Sequence, residues 1–178
     1  MFSEITVNGV TYELPTGLVL FEDISFSINS KLTALVGPNG VGKSCLAKLI
    51  IGELTPTAGS VTRRKNISYL AQQDKPPQIP LEEYLSQKYT WSIIGEKLLK
   101  GIDQTILCTN LSGGQWMKVR LASTLGEQFL ILDEPTNDLD REAKLVVIDF
   151  LSQLKHGALI ISHDQELLSL CDEILELS

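Results

Sequence analysis

The chain has 178 residues, 43% of them hydrophobic, with 15 lysines and arginines against 22 aspartates and glutamates. That length fits about one domain with a substantial core, and the composition is globular rather than disordered. A net charge of −7 excludes a general binder of nucleic acids or anionic membranes, and no apolar run reaches the ~18 residues that cross a bilayer. Cys45, Cys108, Cys171, His156 and His163 are too dispersed for a disulfide framework or a His/Cys metal centre. The expectation is a single soluble, cytoplasmic domain over residues 1–178.

In chain order, Phe2, Ile5, Val7 and Val10 alternate as a strand does. So do Val19–Phe21 with Ile24, Phe26 and Ile28. Leu32–Val36 is a continuous apolar run, the pattern of a buried parallel strand. A glycine-rich turn at Gly37–Gly42 precedes a helix over Cys45–Ile51 that ends near Gly52. Strands are expected at Ser60–Thr62 and Ile67–Leu70. The Pro-rich stretch Asp74–Pro80 breaks the chain, and Leu81–Lys100 has helical spacing interrupted near Gly95. Beyond it, strands at Phe129–Leu132 and Ala158–Ile161 alternate with helices starting near Ser112, Arg141 and Asp164. The sum is an α/β fold: a mostly parallel sheet, antiparallel strands at the N-terminus, and a short helical insertion over about 74–127.

The residues Gly37, Pro38, Asn39, Gly40, Val41, Gly42, Lys43 and Ser44 fit G-x-x-x-x-G-K-[ST] in full, between a buried strand and a helix. The glycines allow a turn whose N–H groups point inward, at a helix end that favours negative charge. Lys43 then reaches the outer phosphates of a nucleotide, and the Ser44 hydroxyl ligates Mg²⁺. Such a P-loop needs a second carboxylate. The segment FLILDE delivers Asp133 at the C-terminal end of a strand, where ligands bind in open α/β sheets. Glu134, the next residue, points differently and is placed to polarise an attacking water. Seen alone, the two acids would simply end a strand.

Leu111-Ser112-Gly113-Gly114-Gln115 opens a helix, with Ser112 as a natural N-cap. From the residues alone it is either a capped helix start or a second anion site. Together with the P-loop and FLILDE, however, LSGGQ resembles the signature of the ATP-binding-cassette (ABC) ATPases. The motifs come in that family's order and the resemblance spans essentially the whole chain.

The resemblance implies more. Gln72 in SYLAQ is similar to the Q-loop glutamine that contacts Mg²⁺ and water, with Gln73 the weaker candidate. NDLD, ending at Asp140, resembles the D-loop that crosses a dimer interface, and ISHD makes His163 the γ-phosphate sensor. Two cassettes would pack head to tail, the signature of one closing on ATP held by the other. With one P-loop and one signature, the simplest assembly is a twofold homodimer, a heterodimer being the alternative.

Three features depart from the family pattern. Leu14 stands where an aromatic residue usually stacks on adenine, and Tyr12, two residues away on the same strand face, is the candidate substitute. Cys45 follows Ser44 where a second hydroxyl is common. It is either a small buried residue or a thiol that alkylates and is protected by ATP. The stretch between Gln72 and Leu111 is short for a transporter cassette, whose helical region and Q-loop receive the membrane partner. The expected function is Mg-ATP hydrolysis by a dimeric clamp, first as the ATPase subunit beside a membrane permease. The alternatives are an F-type ABC protein, or half of one, acting on the ribosome, and a nucleotide-gated binding module with little turnover.

Overall fold

A computed structural model describes residues 4–29, 32–63, 66–89, 91–124, 128–154 and 156–178. The expected strand residue Phe2 and the link at 125–127 lie outside these. The chain forms β1 (Ile5–Glu13), β2 (Val19–Ile28) and β3 (Leu32–Val36), then α1 (Lys43–Ile51), β4 (Ala58–Arg63) and β5 (Ile67–Leu70). A helical stretch follows: α2 (Leu81–Lys88), α3 (Ile93–Leu99), a 3₁₀ turn at Cys108–Asn110, and α4 (Gly113–Thr124). The chain then runs β6 (Phe129–Asp133), α5 (Arg141–Ser152), β7 (Ala158–Ile161), α6 (Gln165–Leu168) and β8 (Glu173–Glu176).

Two sheets result. The first is antiparallel, in the order β2-β1-β4; the second is parallel, in the order β5-β6-β7-β3-β8. Every residue of β6 and β7 is buried. Their side chains divide by parity. Leu130, Leu132, Ala158 and Ile160 face a core shared with α2–α5, whereas Phe129, Ile131, Leu159 and Ile161 face one shared with α1 and the antiparallel sheet. Burial on both faces is why these strands read as unbroken apolar runs. The helical break expected near Gly95 falls earlier, after α2. Gly95 lies within α3, with the Tyr89 ring packed over it and the Ser92 hydroxyl accepting its N–H.

β6, β7 and β3 are neighbours, so the loops leaving their C-terminal ends meet at one sheet edge. β8 braces that edge: the Leu177 N–H donates to the Val36 carbonyl at 2.9 Å. A Cβ on Gly37 would lie 2.2 Å from the Leu177 carbonyl oxygen. Gly37→Ala should therefore force the strand end off the loop and cost roughly 1–3 kcal/mol in a urea titration. An unchanged midpoint would show that this contact does not constrain the fold.

Candidate functional site

The turn from β3 into α1 builds the site's base. Gly42 sits at the N-cap of α1 with φ 107°, and no side chain caps the helix. Lys43 is almost fully buried, and its Nζ donates to the carbonyls of Gly37 at 2.7 Å and Pro38 at 2.9 Å. An ammonium held on loop carbonyls, with the Asp133 carboxyl nearby, keeps donors to offer an anion. Ser44 Oγ donates to Asp133 Oδ2 at 2.7 Å, and the Tyr69 hydroxyl approaches the same oxygen at 3.5 Å. Burial pushes the Asp133 carboxyl above its ordinary value. The hydrogen bonds from Ser44 and Tyr69, then Lys43 and Lys48, pull it back in part. Burial, followed by the charge of Asp133, drives the Tyr69 phenol upward.

Glu134 follows at once. It is nearly buried and has φ 51°, and its N–H donates to the Ile161 carbonyl at 2.8 Å. One carboxylate oxygen accepts from Ser162 Oγ at 3.2 Å; the other lies 3.8 Å from His163 Nε2. A cleft of about 440 Å³ collects Lys43, Ser44, Cys45, Gln72, Asp133 and Glu134, together with the loop residues Asn39, Gly40 and Gly42. Its apolar wall is Leu14, Leu20 and Ile161. Cys45 is half-buried, packing on the core and bordering the cleft. These residues fit a Mg-nucleotide on their own chemistry: a buried cation for phosphate, and an oxygen pair, hydroxyl and carboxylate, for a hard divalent ion.

Tyr12 is not part of this cleft. It is 8% exposed, sits opposite Phe21 in the β1–β2 register, and holds its ring 6.1 Å from that partner. Tyr12 and Leu14 both pack on the core of α1 and the antiparallel sheet, but β1 ends at Glu13, and of the two it is Leu14, beyond that end, that reaches the cleft. The base-contact candidates are thus Leu14 and Leu20, of which Leu20 had no signal in the spacing.

The second anion-site candidate folds as a capping box. Ser112 Oγ accepts the Gln115 N–H at 3.2 Å, while Gln115 Oε1 accepts the Ser112 N–H at 2.9 Å. Gly114 is required by a close approach, since a Cβ there would lie 2.5 Å from the Asp138 carbonyl; Gly113 faces open space. None of Ser112, Gly113, Gly114 and Gln115 lines the P-loop cleft. Gly113 instead borders a separate hollow with Gln72, Gln73 and Asp138. Asp140 also lies apart from the cleft: it caps α5 by accepting the Ala143 N–H at 2.9 Å and pairs with Lys118 of α4. Lys118, then that N–H, hold its carboxyl below the ordinary range.

α4 also secures the loop that carries Gln72. Trp116 Nε1 donates to the Asp74 carbonyl at 2.8 Å, and the Arg120 guanidinium donates to the Ala71 carbonyl. Burial pulls Arg120 below its ordinary value, against the opposing pull of Asp74. Both residues line a larger cleft of about 650 Å³, with Lys48, Lys88 and Tyr84.

The ABC transporter family model matches residues 21–137. The chain belongs to that family. This cassette is 36% identical over 174 residues to the ABC transporter ATP-binding protein ARB1 of Saccharomyces cerevisiae, covering 88% of the cassette and 28% of ARB1. It is 35% identical over 178 residues to the energy-dependent translational throttle protein EttA of Mycobacterium tuberculosis, covering 89% and 32% respectively. The cassette therefore spans about a third of the length of these relatives. Its fold matches the ATP-binding cassette MJ0796, solved as a dimer in a post-hydrolysis state with ADP and Pi. That match has a TM-score of 0.81 at 20% identity and covers 98% of this chain and 94% of that one. Among the described residues, no helix is long and apolar enough to cross a membrane.

Two outcomes check the site. Tyr12→Ala should cost about 3–5 kcal/mol of stability, as loss of a large buried ring does, and leave the affinity of the folded protein for ATP unchanged. For Asp133 the sign follows from its raised value. Protonation favours the folded state at low pH, and that contribution is lost as pH rises through the raised value, so at neutral pH the buried charge is a net cost. Asp133→Asn should raise the melting temperature at pH 7 while weakening Mg-dependent nucleotide binding.

Proposed function

We propose that this cassette binds Mg-ATP in the P-loop cleft and hydrolyses it to ADP and phosphate, acting as a clamp that closes on a second cassette. The observation that carries the reading is the convergence of Lys43, Ser44, Asp133 and Glu134 in one cleft. Lys43 and the loop N–H groups from Asn39 to Gly42 hold the phosphates. Ser44 and Asp133 hold Mg²⁺, with Gln72 at its edge, and the ion when bound neutralises phosphate charge. Glu134 orients and deprotonates the attacking water, and His163, beside it, faces the terminal phosphate. Ser112, Gly113, Gly114 and Gln115 serve the partner's nucleotide, which accounts for their distance from this chain's own cleft. Asp140 supports that interface from the cap of α5. Leu14 and Leu20 give the base an aliphatic wall without an aromatic face or a hydrogen-bonding edge.

The whole of residues 1–178 is read as one cassette, with the helical part over about 74–127 inserted in the core. Relatives at 35–36% identity, one of them named for a role in translation, favour an F-type cassette, or one half of such a protein, working with the ribosome. A transporter ATPase beside a membrane permease is the second reading, supported by the 650 Å³ cleft whose walls Trp116 and Arg120 also hold the Gln72 loop. Either places the protein in the cytoplasm, at a membrane only through a partner. A binding module without turnover is disfavoured by the buried Glu134 beside His163.

Phosphate release from purified protein tests the enzyme. Lys43→Ala and Glu134→Gln should each lower it by at least about 100-fold, as loss of a base or a phosphate contact does. Glu134→Gln with saturating Mg-ATP should shift light scattering from monomer to dimer; a monomer under those conditions defeats the homodimer. Capture on the same variant, scored for ribosomal subunits against membrane proteins, separates the two partner readings.

A further inference from the structure

We infer that Ser162 is a positioning residue for Glu134, an assignment that rests on Glu134 being the base of the reaction proposed above. Ser162 follows β7 and is 1% exposed. Its hydroxyl oxygen lies 3.2 Å from Glu134 Oε2 and 3.1 Å from the Asp164 amide nitrogen. The amide can only donate, so it occupies a lone pair of the hydroxyl, and the single hydroxyl hydrogen is left for the carboxylate. The backbone thereby fixes the direction of the bond that Glu134 receives.

The amide that sets this direction is itself held in place. The Asp164 carboxylate accepts from Thr136 Oγ1 at 3.0 Å, from Lys144 Nζ at 2.8 Å and from the Glu166 N–H at 3.0 Å. Thr136 lies in the loop just after Glu134, Lys144 lies in α5, and Glu166 lies in the first turn of α6. One chain of polar contacts therefore closes from the loop bearing Glu134, through Asp164, to Ser162 and back to the Glu134 carboxylate.

Glu134 depends on that contact. Its backbone is in the left-handed region, which a non-glycine residue occupies only when its surroundings hold it there. Among the described residues, Ser162 makes the hydrogen bond to its carboxylate, because His163 at 3.8 Å stands beyond hydrogen-bond distance. Without the Ser162 hydroxyl the carboxylate is free to rotate away from the line of attack. Among the described residues Ser162 makes no hydrogen bond to Lys43 or Ser44, so the bonds of the phosphate cradle are kept.

The test uses the full chain. Ser162→Ala should lower kcat by roughly 10- to 100-fold, the scale of a small misplacement of a reacting group. The dissociation constant of a fluorescent ATP analogue should stay within about twofold, as expected when only the transition state loses an interaction. Ser162→Thr, which keeps the hydroxyl, should restore most of the rate. In the Glu134→Gln background, Ser162→Ala should change the residual rate no further, because its effect runs through that carboxylate. A kcat for Ser162→Ala equal to that of the native chain, with Glu134→Gln inactive, overturns the positioning role alone. Equal losses of kcat from Ser162→Ala in both backgrounds, or lost nucleotide binding, also overturn it, by showing a structural role. Full activity in Glu134→Gln overturns the base assignment and this inference together.

Discussion

A parallel strand covered on both faces has nowhere to put a charge except its end. β6 and β7 obey this constraint without exception: each is apolar until the sheet edge, where Asp133 and Glu134 close one and Ser162 and His163 follow the other. β3 does the same, running from Leu32 to Val36 before the Gly37 turn, with Thr33 as a buried hydroxyl that finds no partner among the described residues. Because the three strands are adjacent, the polar groups excluded from their interiors are delivered to one place. The edge of the sheet is where the chemistry has to be.

What assembles there runs against ordinary stability rules. A buried lysine, a buried carboxyl pushed upward and a non-glycine residue at positive φ would each be avoided in a core chosen for stability alone. Each is accommodated by local partners. The Lys43 ammonium rests on two carbonyls, Asp133 on the hydroxyls of Ser44 and Tyr69, and the Glu134 backbone on Ile161. The site is polar and satisfied before any ligand arrives, so a nucleotide exchanges partners rather than organising a disordered loop.

Much of this was legible from the sequence, for a physical reason. The P-loop, the FLILDE strand and the LSGGQ helix start are local patterns, recognisable from residues within a few positions of one another. The capping box of Ser112 and Gln115 is of the same kind. What escaped depends on long-range geometry. Parity puts Tyr12 and Leu14 on one face but says nothing of depth: Tyr12 packs inside against Phe21, whereas Leu14, past the end of β1, reaches the cleft. Gly95 looks like a breaker along the chain, yet it sits under the Tyr89 ring inside α3. Ser162 and Tyr69 join the site through partners 28 and 64 positions away, a relation that no window along the chain contains.

α4 has one more consequence. It begins at the LSGGQ residues, pairs with Asp140 through Lys118, and holds the Gln72 loop through Trp116 and Arg120. Trp116 and Arg120 lie about 4.5 and 10.5 Å along the helix axis from Gly113. A tilt of about five degrees about the start of the helix moves the Arg120 level by about an ångström. A rigid helix would carry a small motion at its first turn to the loop bearing Gln72 with no change in any torsion along the way.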